Sequence, residues 1–309
     1  VTLDCIIGQD VPVSILKRGL AAGTLGHAYL FSGRAGLGKE TTARAAAEIL
    51  QKQGGPYSEI HVLSGEGSLG VDEIRSLRKK AAYASAGNVI WLIIGAERMT
   101  VEAANAFLKT LEEPHQGVYF FLTTENVQRL LPTIVSRCQH LPFRAVPEKE
   151  IAKWLAGRSG EEADSPKIKA IARLAQGSLG RAWDYYQGPL LAYREEIVEK
   201  MARLPFASYP EVLGMSQTWP EEREKVQFDL QVMLEWYRDL LTIKGEAGPT
   251  LYNPNRREEL KRISSYYPYH SLYGIIDQIS AAKTAVAGNA RIRFSLGYLL
   301  LLMKKGALT

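Results

Sequence analysis

Apolar residues follow two rhythms along this chain, and the rhythm changes near residue 145. In the first stretch, short apolar runs alternate with helical patterns. HAYLFS (27–32), EIHVLS (59–64), NVIWLII (88–94), GVYFFLTT (117–124) and QHLPF (139–143) read as strands. Between them, TTARAAAEILQ (41–51), VDEIRSLRKKAAYA (71–84), VEAANAFLKTLEE (101–113) and a segment around ENVQRLLPTIVSRC (125–138) read as helices. Near-continuous apolar runs separated by helices predict a parallel sheet covered on both faces. After Phe143 the strand pattern stops. Short helical patterns fill 147–187, including EKEIAKWLAG and SPKIKAIARLAQG, and longer ones follow, such as EEREKVQFDLQVMLEWYRDLLTIKG and ARIRFSLGYLLLLMKKG. Pro205, Pro210, Pro220, Pro249 and Pro254 fall in the expected connections, where a fixed φ and a missing N–H do least harm. The pattern gives an α/β domain over 1–145, a small helical domain over 146–187 and an all-helical domain over 188–309.

A chain of 309 residues exceeds one average core, in keeping with that division. Its 46% hydrophobic and 23% charged content is ordinary for a globular protein. Residues 1–145 carry 15 Lys and Arg against 13 Asp and Glu, and the remainder carries 23 against 20, so charge alone neither requires nor excludes nucleic acid. No secretory apolar segment is expected before the first domain, and the run from Leu296 to Met303 is too short to span a bilayer. Cys5 and Cys138 lie far apart, with neither metal spacing nor a disulfide framework, and a reducing cytoplasm is expected.

Between the first strand and the first helix stands Gly33-Arg34-Ala35-Gly36-Leu37-Gly38-Lys39-Glu40-Thr41. In the pattern G-x-x-x-x-G-K-[ST], glycines let backbone N–H groups converge on phosphate oxygens, the lysine neutralises charge and the hydroxyl holds Mg²⁺. Gly33, Gly38 and Lys39 match, and Gly36 adds a further flexible position. Glu40 takes the hydroxyl's place, with Thr41 one residue late. A carboxylate there disfavours a triphosphate unless it turns away. A P-loop hydrolase also needs acids at the end of a later strand, for metal and water. The strand 88–94 instead runs into Ile94-Gly95-Ala96, and Glu97 is expected as an exposed loop residue. These residues predict nucleotide binding without efficient hydrolysis.

Leu108-Lys109-Thr110-Leu111-Glu112-Glu113-Pro114 and Ser136-Arg137-Cys138, in order with Ile6-Ile7-Gly8-Gln9 and the phosphate loop, resemble the AAA+ clamp-loader subunits of bacterial DNA polymerase III, of the delta-prime kind. The resemblance is dense over residues 1 to about 145 and thinner beyond, where Gly177-Ser178-Leu179 and Asn289 to Met303 carry it. It implies a P-loop AAA+ domain, a helical lid and a collar that joins other subunits. The collar expectation rests on Leu296, Leu299, Leu300 and Met303, which recur on one helix face. Motor subunits of the family, gamma and tau, carry Thr or Ser where Glu40 stands, Asp-Glu where Ile94-Gly95 stands, and Arg where Gly180 stands. Arg181 comes one residue late, about 100° around a helix. The resemblance therefore implies a subunit without ATPase of its own, able to hold ATP or ADP. It would work with gamma/tau and delta subunits, the sliding clamp and primed DNA. An ATP-hydrolysing motor subunit is one rival reading. A different AAA+ DNA-processing machine is the other, disfavoured by the paired LKTLEEP and SRC motifs.

Taken alone, Arg137 reads as a surface or ion-pair residue; the resemblance implies an arginine finger for a neighbour's ATP. Thr123 and Thr124 fall in the family's sensor-1 region, and Cys138 reads as a packed small residue. Arg75, Arg78 and Lys79 share a helix face. That face is a solvated basic one or, as the resemblance implies, a track for duplex phosphates. His27, His61, His115 and His270 have no ligand spacing, and Trp236, Tyr237, Tyr266 and Tyr267 read as core or subunit-interface residues. The family's four-cysteine zinc module would fall between Gln53 and His61, where QKQGGPYSEIH has no cysteine, so no zinc is expected.

Overall fold

A computed structural model describes residues 2–64, 67–82, 87–245, 251–287 and 292–307, with the backbone alone at 78–82 and 287. Contacts divide the chain into two units, Val1–Tyr186 and Gln187–Thr309.

The first unit is built on a parallel sheet with strand order β2-β3-β4-β1-β5. Its strands are β1 (Ala28–Ser32), β2 (Glu59–Leu63), β3 (Val89–Ile93), β4 (Val118–Thr124) and β5 (Gln139–Pro142). β1 lies between β4 and β5, with Leu30 level with both Leu122 and His140. All five of its residues are buried, so its side chains alternate between two cores. Tyr29 and Phe31 join Ile90, Leu92 and Phe121 under α1 (Asp10–Ala22) and α2 (Lys39–Gln53). Ala28 and Leu30 join Trp91, Phe120 and Leu122 under α3 (Val71–Ala82) and α4 (Val101–Glu112). Ala43, Ala45, Ala46 and Ala47 are fully buried and bring α2 close against the sheet.

Two features differ from the sequence pattern. α1 has no counterpart among the helices expected above; Pro12 in its first turn and exposed Val11 interrupt the apolar stripe, although Val13, Leu16 and Leu20 are buried. The segment 125–138 is not one helix. It forms a 3₁₀ turn at Val127–Arg129 and, after extended Leu130 and Leu131, a single turn α5 (Pro132–Val135). Pro132 disfavours helical backbone in the residue before it, which splits the segment. The unit ends in α6 (Glu148–Ser159), α7 (Pro166–Leu174) and α8 (Leu179–Gln187).

Among the described residues the second unit is helical: α9 (Leu190–Arg203), α10 (Tyr209–Gln217), α11 (Arg223–Lys244), α12 (Arg257–Ser264), α13 (Tyr269–Ala287) and α14 (Ile292–Gly306). No described helix is long and apolar enough to cross a membrane. Trp236, Tyr237 and Tyr267 are core residues, whereas Tyr266 is exposed. Arg194, Glu235 and Asp239 are buried charged groups that find partners, as burial demands. Arg194 meets Glu235 at 3.2 Å, and the Asp239 carboxylate accepts from the Tyr252 and Asn253 backbone N–H groups and the Asn253 amide.

Leu296, Leu299, Leu300 and Met303, the residues expected to make a collar, lie in this unit's own core. The outward apolar residues of α14 are Phe294 and Tyr298, 83% and 57% exposed. Leu300→Ala is therefore expected to lower the stability of the full chain by about 2–5 kcal/mol, the usual range for emptying a filled leucine site. Urea unfolding followed by tryptophan fluorescence measures it, and an unshifted midpoint would return Leu300 to an intersubunit role.

Candidate functional site

The loop from β1 to α2 takes its shape from glycines at positive φ. Gly33 (+143°), Gly36 (+74°) and Gly38 (+89°) lie where L side chains are strained. Space adds a second constraint, since a Cβ on Gly33 would come within 2.7 Å of the Phe143 carbonyl oxygen and one on Gly36 within 2.0 Å of Ser178 Oγ. The loop's carbonyl groups are tied down from several elements. Lys39 Nζ donates to the Gly33 and Arg34 oxygens at 2.5 and 2.7 Å, and Thr42 Oγ1 to that of Gly38 at 2.7 Å. Ser178 Oγ donates to the Gly36 oxygen at 3.1 Å and accepts the Arg181 N–H. Gln9 clamps the backbone of Arg144 at 2.7 and 3.0 Å.

This loop borders a cleft of about 530 Å³ whose other wall is the carboxyl end of β3 and β4: Ile94, Gly95, Glu97, Arg98, Thr123, Thr124 and Glu125. Burial pushes the Lys39 ammonium below its ordinary range, and the carboxylates of Glu125 and Glu97 oppose that shift. Glu40 bends back along α2 to pair with Arg44 at 2.7 Å, while Thr41 sits exposed on the rim. Gly33, Gly36, Gly38, Lys39 and Thr41 are thus gathered at one end of the sheet.

At the end of β3, Arg98 folds back so that Nη2 donates to the Ile94 carbonyl oxygen at 2.5 Å and Nε to that of Gly95 at 3.4 Å. A Cβ at Gly95 would stand 2.6 Å from Arg98 Nε, so the guanidinium fills the space a side chain at 95 would need. Thr123 Oγ1 accepts the Gly95 N–H at 3.1 Å and Thr124 Oγ1 that of Asn126 at 3.1 Å, so both hydroxyls shape the cleft wall.

Glu97 corrects the expectation of an exposed loop residue. It is half-buried and lines the cleft; Oε1 accepts the Glu125 N–H at 3.1 Å, and Oε2 is buried without a hydrogen-bond partner. The left-handed Gly95 and the 3₁₀ turn Ala96–Arg98 carry it back over the strand end. Glycine followed by an acid two residues on was the available signal.

Arg137 lies at the opposite edge. It precedes β5, whose Gln139 is level with Tyr29, whereas the glycine loop follows Ser32. Four residues of strand, about 13 Å, separate the Gln139 level from Gly33. Its Nη1 donates to the Thr133 carbonyl oxygen at 3.0 Å and its Nη2 to Glu112 Oε1 at 2.5 Å. His27 Nε2 meets the Leu111 carbonyl oxygen at 3.2 Å at this same edge. Arg75 is exposed and pairs with Asp72 at 3.3 Å; the side chains of Arg78 and Lys79 lie outside the described residues. Between α2 and β2 the chain closes a turn in which Ser58 Oγ accepts the Asn88 N–H. With no thiol in that turn, its residues do not fit a zinc site.

Burial pushes the Cys138 thiol up to about 12. At pH 8 roughly one part in 10⁴ would be thiolate, the form that reacts. Iodoacetamide should add one adduct to the native protein, at exposed Cys5, and two after denaturation, as read by intact mass.

Residues 8–147 match the family described as DNA polymerase III, delta subunit. The DNA polymerase III gamma subunit of Buchnera aphidicola is 32% identical over 197 residues, 56% of this chain and 55% of that protein. The chain thus spans about half the length of that relative. The delta′ subunit of Bacillus subtilis is 26% identical over 96% of this chain and 97% of its own length. A crystal structure of a DNA polymerase III gamma subunit-related protein from Thermotoga maritima covers 94% of this chain, and the chain covers 99% of it, with a TM-score of 0.50 at 18% identity. That likeness speaks for the fold alone, a parallel sheet covered by helices and followed by further helices. Together these matches make the chain similar to DNA polymerase III subunits gamma, tau and delta′.

Proposed function

We propose that this chain is a non-motor, delta-prime-type subunit of the DNA polymerase III clamp loader. It assembles with gamma/tau and delta subunits in the bacterial cytoplasm and helps load the sliding clamp on primed DNA. The α/β part over 1–145, the lid over 146–187 and the collar over 188–309 divide this work. In its cleft Gly33, Gly36, Gly38, Lys39 and Thr41 hold the phosphates of ATP or ADP without efficient hydrolysis. At the other edge Arg137 serves a neighbour's ATP.

The carrying observation is the end of β3, where Arg98 folds over Ile94 and Gly95 in place of strand-end carboxylates. A fixed cation there occupies the strand end where acids would be needed to hold metal and orient water. The match along 97% of the Bacillus subtilis delta′ subunit supports the same reading. Purified protein should hydrolyse no ATP above background. Turnover near about 1 s⁻¹, the low end of ordinary enzymes, abolished by Lys39→Ala, would overturn it.

A motor subunit is the second reading, favoured by Glu97 and Glu125 beside the cleft and by the 32% identity with a gamma subunit. The same assay with Glu97→Gln decides it, because a motor would need that carboxylate.

Arg137 is level with the amino ends of the strands, so it cannot reach the cleft of its own chain and is suited to a neighbour's phosphate. Fingers of this kind are worth about 10³–10⁵ in rate. Arg137→Ala should leave the assembly intact and slow clamp- and DNA-stimulated hydrolysis at one site, so total ATPase falls only in part. Lysine should rescue poorly, having lost the planar fork. Unchanged hydrolysis and loading in a verified assembly would assign Arg137 a structural role.

Arg75, Arg78 and Lys79 are the residues proposed to meet duplex phosphates. Removing their charges together should lower the salt-dependence slope of loader binding to primed DNA by roughly 0.9 per lost contact. An unchanged slope would make that face plainly solvated.

A further inference from the structure

The two motifs that carry the family resemblance, LKTLEEP and SRC, meet in space through one ion pair. Glu112 is the last residue of α4, and its carboxylate accepts from Arg137 Nη2. A carboxylate is poorly placed at a helix C-terminus, where the backbone dipole is already negative, so Glu112 needs a cation beside it. The Thr133 carbonyl oxygen provides the second anchor and accepts from both Ser136 Oγ at 3.1 Å and Arg137 Nη1 at 3.0 Å. Beneath them Cys138 fills the core. Each residue of the SRC motif therefore has a separate task.

Magnitudes indicate what the pair is for. Arg137 and Glu112 are 34% and 48% exposed, and pairs in contact with water contribute little to stability. Orientation is a different matter. An arginine side chain has many rotamers, and two anchors remove most of that freedom before a partner arrives. A guanidinium has five N–H donors, two of which are engaged in these bonds, and the remaining three are not used by them.

We infer that Glu112 is a positioning residue that holds the Arg137 guanidinium ready for a phosphate on a neighbouring nucleotide-hydrolysing subunit. The inference rests on the trans role of Arg137 given above. It makes Glu112 act only through Arg137.

The test is a double-mutant cycle in a reconstituted assembly whose only active ATP site is the one facing this chain. Misplacing a catalytic group by about an ångström can cost about 10²-fold, so Glu112→Ala should lower kcat by about 10- to 100-fold. The KM for ATP should move less than about threefold, as for a contact made in the transition state. Glu112→Gln keeps the size and an acceptor oxygen, so its rate should lie between those of Glu112→Ala and the wild type. It also guards against misfolding of the alanine variant. Glu112→Ala combined with Arg137→Ala should be no slower than Arg137→Ala alone. A slow Arg137→Ala beside wild-type Glu112→Ala and Glu112→Gln would overturn the inference and spare the finger. A double variant slower than Arg137→Ala would also overturn it, by giving Glu112 an independent role. Wild-type rates for Arg137→Ala would remove the finger itself, and the positioning role with it.

Discussion

Complete burial of β1 between two parallel neighbours is the constraint on which the rest of the first unit depends. With no edge and no solvent face, β1 must alternate its side chains between two cores, and helices must cover both. Parallel strands then give the sheet two chemically different rims. Every strand leaves at the carboxyl rim, where the glycine loop, the β3 terminus and the β4 threonines converge on one cleft. Every crossover returns to the amino rim, where α4 ends at Glu112 and Arg137 precedes β5. The cleft and the Glu112–Arg137 pair are separated by the length of a strand.

Within the cleft, opposite charges are arranged so that the loop is ordered by its own groups. Lys39 is held by carbonyl oxygens of the loop it belongs to, with Glu97 and Glu125 across the gap. Arg98 closes the β3 terminus with backbone contacts.

Much of this was legible in the sequence, because β1, β3 and β4 are apolar along most of their length and the glycine spacing follows directly from backbone need. Other parts were hidden for identifiable reasons. Pro12 and Val11 disguised α1, and Pro132 divided a stretch whose periodicity suggests one helix. Glu97 could be placed only by knowing the turn at Gly95, and the Glu112–Arg137 pair joins residues far apart in sequence. In α14 the period of Leu296, Leu299, Leu300 and Met303 identifies an apolar face but cannot say whose core receives it. Periodicity reports that a face is buried, and tertiary packing decides against what.

The contact of Ser178 with Gly36 joins the glycine loop to the start of α8 through a single oxygen. That hydroxyl donates to the loop and accepts from the helix, so the two backbones approach to one side chain's width. Residues 36 and 178 thereby share a volume that accommodates one small group. Bulk added at either position has to be surrendered at the other, or the helix must lift from the loop. The angle at which the helical segment meets the sheet is in this sense a property of residue size, set by two of the smallest side chains available.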